Sequence, residues 1–119
     1  MELEKILDDH TRWLASDGKQ GVRADLRKAI LQEADLHGLN LQGADLEEAH
    51  LSVADLMGTN LRLANLQRAD LWMADVKDAN LQGAQLQGAN LAEVTNLTQK
   101  QIDSAIIDAA TILPAGIRR

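Results

Sequence analysis

From Ala24 to Glu93 the hydrophobic positions recur every five residues: a small apolar residue, a polar residue, a leucine, then two variable positions. Fourteen blocks follow one another without insertion or deletion, from ADLRK, AILQE, ADLHG and LNLQG at the start to AQLQG and ANLAE at the end. The central residue is leucine in every block except that of Val76, and the first is alanine except at Leu39 and Thr59. The second is aspartate or asparagine except at Ile30, His50 and Gln85. A period of five matches neither the 3.6 of a helix nor the 2 of a flat strand, so the pattern predicts a coil with corners. Self-similarity over so many units marks a solenoid, in which each unit buries its apolar side against its neighbours.

The flanks follow another rhythm. Over residues 2–16, Leu3, Ile6, Leu7, Trp13 and Leu14 share one helical stripe, with Glu2 and Glu4 in the first turn and Gly18 beyond the end. This predicts an N-terminal amphipathic helix. After Glu93 the frame fails, because Asn96 stands where leucine belongs. Thr98 and Gln101 then form a capping-box pattern ahead of a second stripe, Ile102, Ala105, Ile106, Ala109 and Leu113, closed by Pro114 and Gly116. The chain therefore divides into 1–23, 24–93 and 94–119. A stack of strands leaves unpaired backbone and open core at both ends, and amphipathic helices laid over them would act as caps. The alternative for the C-terminal helix is a homodimer interface; the chain is expected to be a monomer or such a dimer.

Composition narrows the classes. Trp13 and Trp72 are the only residues among Phe, Trp and Tyr, so the core is built from leucine and alanine. The absence of cysteine excludes disulfides, thiolate metal sites and thiol nucleophiles. The N-terminus lacks the basic region, apolar run and cleavage site of a secretion signal, which leads to the expectation of a cytoplasmic protein. No apolar stretch approaches the roughly 20 residues that span a bilayer. A net charge of −6 argues against anionic membranes and nucleic-acid phosphate as partners, and leaves an unidentified protein partner as the expectation.

The blocks from Ala24 to Glu93, with alanine, then aspartate or asparagine, then leucine, resemble the pentapeptide repeat family. The resemblance implies a mainly β fold: a right-handed quadrilateral β-helix solenoid with four blocks per coil, here about three and a half coils. Together with the stripes, this gives a solenoid with short amphipathic helices at both ends. The best understood members of that family bind DNA gyrase or topoisomerase and protect it by resembling DNA. Charge density opposes that role here. DNA carries one charge per about 1.7 Å, so a coil of about 4.8 Å would need nearly three net negative charges. Residues 24–93 hold eleven acidic and five basic side chains, a difference of six over the whole array. The leading expectation is a non-catalytic structural or protein–protein interaction module; the alternative is a DNA-mimic regulator of gyrase or topoisomerase.

Four blocks per coil place residues twenty apart above one another. One face then stacks Asp35, Asp55 and Asp75, an acidic ladder explained by corner chemistry, since aspartate accepts local backbone N–H bonds in turns; a cation or a basic partner are the other readings. Another stacks Asn40, Asn60 and Asn80, whose amides in register can bond from coil to coil. Ile30, Val53, Met57, Trp72 and Met73 are apolar at outward positions and form a candidate partner-binding patch. The competing readings are that Trp72 lies under a terminal segment folded back along the rod, or is a lone exposed side chain. His10, His37 and His50 fall in different segments without metal-ligand spacing or a nearby carboxylate cluster, so no metal is expected. With no phosphate loop, nucleophile elbow or convergent acid–base pair, neither enzyme activity nor a cofactor is expected.

Overall fold

A computed structural model describes residues 1–119. The five-residue period closes a square turn of the chain every fourth block. Parallel bridges join Asp25 to Asp45, Ile30 to His50, Asp35 to Asp55 and Asn40 to Asn60, and the same step continues upward through the stack. Sides one to four of the first coil are 24–28, 29–33, 34–38 and 39–43. Each side contributes an isolated bridge rather than an extended strand, and backbone geometry gives the reason. The last residue of every block lies at positive φ, from Lys28 at 59° to Glu93 at 59°. The next N–H donates back three residues, as from Ala29 to the Leu26 carbonyl at 3.1 Å. A left-handed residue at the third position of such a turn is the type II arrangement, and it ends each strand after three residues. Five of these corners are glycine, which adopts that φ freely; Val53, at φ 60°, is a β-branched residue where such residues are disfavoured.

Between coils the backbone forms a regular ladder. On side one, Leu26 N–H donates to the Asp45 carbonyl (2.8 Å), Lys28 N–H to Glu47 (2.9 Å), and Asp45 N–H returns to Ala24 (3.0 Å). Alanines and leucines at the first and third positions point inward and form one continuous buried core. Thr59 takes an alanine position without leaving a polar group stranded, because its hydroxyl donates to the Leu36 carbonyl at 2.8 Å.

The ends depart from the frame. At the bottom, α1 (Leu3–Ala15) packs Leu3, Ile6 and Leu7 against the core. At the top, the expected helical stripe from Ile102 to Leu113 does not form one helix. Helix α2 covers only Gln99–Ser104, after which Ile106 bridges to Gln85 and Ile112 to Asn90. Residues 105–109 (AIIDA) and 111–115 (TILPA) thus resume the block on sides one and two, with Ala110 as an extra residue. Thr111 even repeats the role of Thr59, its hydroxyl donating to the Leu86 carbonyl at 2.8 Å. The stack therefore runs further than the three and a half coils counted from the unbroken frame.

The reason is local. Val94 remains buried and Thr95 still bridges to Asp75, so only side four is replaced. The capping box of Thr98 and Gln101 starts α2 there, and the Gln101 amide donates to the carbonyls of Val76 (2.9 Å) and Ala79 (3.0 Å) in the coil below. The C-terminal tail then crosses the last coil. Gln99 bonds the backbone of Arg118 in both directions (2.6 and 2.9 Å), and the Arg119 guanidinium donates to the carbonyls of Asp108 (2.7 Å) and Thr111. The cap at this end is a side-chain and tail device rather than a long helix. No helix is long and apolar enough to cross a membrane.

Candidate functional site

The inward positions build the core of the coils, so the coils offer a site only their second, fourth and fifth positions. Three of the five apolar candidates share one corner. Val53 N–H donates to the Trp72 carbonyl (2.8 Å), which fixes Val53 and the Trp72–Met73 pair in adjacent layers at the junction of sides two and three. Trp72 is 43% and Met73 44% exposed, while α1 packs beneath the first coil and α2 lies on side four. Neither helix occupies this corner. Ile30 stands on the flat of side two in the bottom coil, and Met57 occupies the following corner on side three, so both lie at the margin of the group.

The aspartates of side three form the expected ladder, with Asp35 bridged to Asp55 and Asp55 to Asp75. Each carboxylate accepts the N–H two residues on: His37 (3.2 Å), Met57 (3.0 Å) and Lys77 (3.1 Å). That is the turn chemistry the residue type provides. Mutual repulsion is relieved at both ends. Asn96 donates to Asp75 at 2.9 Å, and the His37 imidazole meets Asp35 at 2.5 Å. The hydrogen bond and charge of His37 hold Asp35 below the ordinary carboxylate value, and Asp35 raises His37 above the ordinary imidazole value. The histidines were expected to stand apart from carboxylates. Instead, stacking brings Asp35, His37 and Asp55 together, with one potential ligand atom from each within 4.8 Å of the others. All three lie toward solvent, and this is the group that could hold a metal ion.

Other ladders carry their own donors. Asn65 donates to Asp45 (3.2 Å) and Asn90 to Asp70 (3.3 Å). On side one Arg27 grips both oxygens of Asp25 at 2.9 Å, lowering that carboxyl to about 2, and Arg68 pairs with Glu47. The asparagine column of side four does not bond asparagine to asparagine; the Asn60 amide reaches the Gln42 side chain at 3.4 Å.

Five exposed apolar residues lie outside the candidate patch: Met1, Val22, Leu63, Ile106 and Ile112. Leu63 ends its block at a corner beside side four, where it lines an open groove with Trp13, Leu14 and Gly43. The signal was present: a leucine at a position otherwise mostly polar or glycine. Ile106 and Ile112 are exposed because they occupy the outward second position of blocks hidden by two one-residue shifts of the frame, the first between Thr95 and Ala105 and the second at Ala110.

Comparison with known proteins agrees with this architecture. The family model described as pentapeptide repeats (8 copies) matches residues 22–58, 34–72, 44–83 and 59–98. The pentapeptide repeat protein alr5209 of Nostoc Pcc 7120 is 34% identical, with a TM-score of 0.73 over 93% of this chain and 86% of that one. A pentapeptide repeat protein from the thylakoid lumen of Arabidopsis thaliana is 26% identical, with a TM-score of 0.56 over 74% of this chain and 60% of that one. Among curated proteins, none matches the sequence. The chain belongs to the pentapeptide repeat family, and its fold is the β-helix solenoid of that family.

Proposed function

We propose that this chain is a non-catalytic protein-binding module whose contact surface is the corner formed by Val53, Trp72 and Met73. One observation carries the reading: two large apolar side chains stand next to each other, each more than two-fifths exposed, at positions where the repeat needs neither. Any small or polar residue would leave the core intact there, as Ala92 and Glu93 do one coil above. Val53 strengthens the case. A left-handed backbone disfavours an L-residue by roughly 1–2 kcal/mol, a cost that the glycines at equivalent corners avoid.

Polar groups surround the apolar centre: Ser52 and Asp70 on side two, Glu93 above. A buried aromatic anchor within a polar rim is the usual anatomy of a contact between proteins. Ile30 and Met57 would extend the contact at its margins. The DNA-mimic alternative draws less support, because Arg27 and Arg68 neutralise acidic groups on side one.

The test is the double variant Trp72→Ser, Met73→Ser in the full chain. It should unfold as cooperatively as the wild type while losing proteins that the wild type captures. Retention of every partner, unchanged, would refute the assignment of this corner.

A further inference from the structure

The first coil has no coil beneath it, so its backbone groups need other partners. Higher in the stack, the N–H of a block's first residue donates to the carbonyl three residues earlier, as from Ala44 to Leu41 (3.0 Å) and from Ala64 to Leu61 (3.0 Å). Ala24 follows no such turn. Higher in the stack, the carbonyl of a block's fourth residue accepts from the coil below, as Arg62 does from Gly43 N–H (2.9 Å). Gln42 has no coil below it. A single side chain of α1 serves both groups. His10, fully buried, accepts the Ala24 N–H at Nδ1 (3.0 Å) and places Nε2 3.0 Å from the Gln42 carbonyl.

An amide N–H can only donate and a carbonyl can only accept. The imidazole is therefore neutral, with its proton on Nε2. Trp13, one turn on, stacks over the ring with centroids 5.4 Å apart. The surrounding charges offer a second proton no compensation. On α1, Asp9 pairs outward with Lys5 (2.9 Å) and Arg12 (3.8 Å); on the linker, Arg23 reaches the Gly43 carbonyl; on the first coil, Asp25 is held by Arg27. Burial pushes His10 below the ordinary imidazole value, against the pull of the Gln42 carbonyl and with help from the charge of Arg23.

We propose that His10 is a proton-operated latch: a proton on Nδ1 turns the acceptor of the Ala24 N–H into a second donor facing it, and α1 leaves the first coil. The direction is fixed by linkage. The docked state favours the neutral ring, so the stability that His10 gives to docking is fully present above the ordinary imidazole pKa of about 6.5 and is lost as pH falls from there toward the depressed value. Release would uncover the lower edge of the stack, where the first-coil backbone and the leucines beneath α1 meet water.

Hydrogen exchange of the full chain between pH 7.5 and 5, corrected for intrinsic rates, tests the latch alongside an NMR titration of the His10 ring. The expected result is that opening of the α1 amides and of Ala24 rises by up to about tenfold per pH unit below the ordinary imidazole range. Amides of Leu46 and Leu66 should stay protected, and the His10 titration should share the midpoint of α1 opening. His10→Gln keeps one acceptor and one donor without a titrating nitrogen, and its α1 protection should be flat across the same range. Titration of His10 without any change in α1, or a His10→Gln variant with the wild-type pH dependence, would overturn the proposal. Should that variant fail to dock at any pH, the coincidence of the two wild-type midpoints decides.

Discussion

The middle of this molecule and its two ends solve the same problem with different chemistry. In the interior coils most backbone groups are paired in a pattern that the twenty-residue step repeats, between coils along each side and within a coil where the first N–H of a block closes the preceding turn. Side chains on the outside are therefore free to vary. At the ends that supply stops, and individual side chains replace the missing coil. His10 serves Ala24 and Gln42 at the bottom; Gln101 serves Val76 and Ala79, and Arg119 serves Asp108 and Thr111, at the top. The lesson is that a repeat protein's identity at its outer positions is loose in the middle and tight at the ends, because buried backbone groups must be satisfied wherever the ladder stops.

The contrast can be broken most severely from inside. Leu66 is completely buried in the middle of the stack, and Leu66→Ala should destabilise the chain by about 2–5 kcal/mol. Chemical denaturation should show all probes shifting together, since the core is one continuous cluster. A smaller, local effect is expected at the lower end. Gly21 lies at φ 72°, and a methyl group there would come within 2.3 Å of the Asp9 carbonyl and 2.6 Å of the Trp13 nitrogen, both backbone atoms of α1. Gly21→Ala should weaken α1 docking by about 1–3 kcal/mol, seen as loss of exchange protection in α1 while Leu66 stays protected. If both regions lose protection equally, the ends and the middle are one cooperative unit and the contrast fails.

The smallest effect concerns the exposed pair on side three. Asp35 raises the His37 pKa and His37 lowers that of Asp35, so the ion pair persists between the two: it is lost as pH rises through the raised His37 value and as pH falls through the depressed Asp35 value. Asp35→Asn should return His37 toward the ordinary imidazole value in an NMR titration, with stability little changed because both groups are exposed. A His37 pKa that does not move would assign the perturbation to Asp55 instead.

The amino-acid sequence by itself determined the repeat, its inward and outward positions, and the corners. These follow from a period that is local and unbroken, with alanine, leucine and a turn-forming aspartate or asparagine recurring at fixed spacing. The capping box at Thr98 was legible for the same reason, because its two residues lie three apart. What lay beyond reach were pairings between residues distant in sequence. Ile106 read as part of a helical stripe with Ile102, Ala105, Ala109 and Leu113 because apolar residues three and four apart suit a helix; only the free edge of Gln85 and Asn90 decided for the β-helix, pairing Ile106 and Ile112 there. His37 joined Asp55 across eighteen residues, and His10 met Gln42 across thirty-two, contacts that no local spacing encodes. The apolar character of Trp72 and Met73 was plain in the sequence, but their exposure depended on where α1 and the C-terminal segment came to lie, and that was fixed by the unpaired backbone at the two ends of the stack.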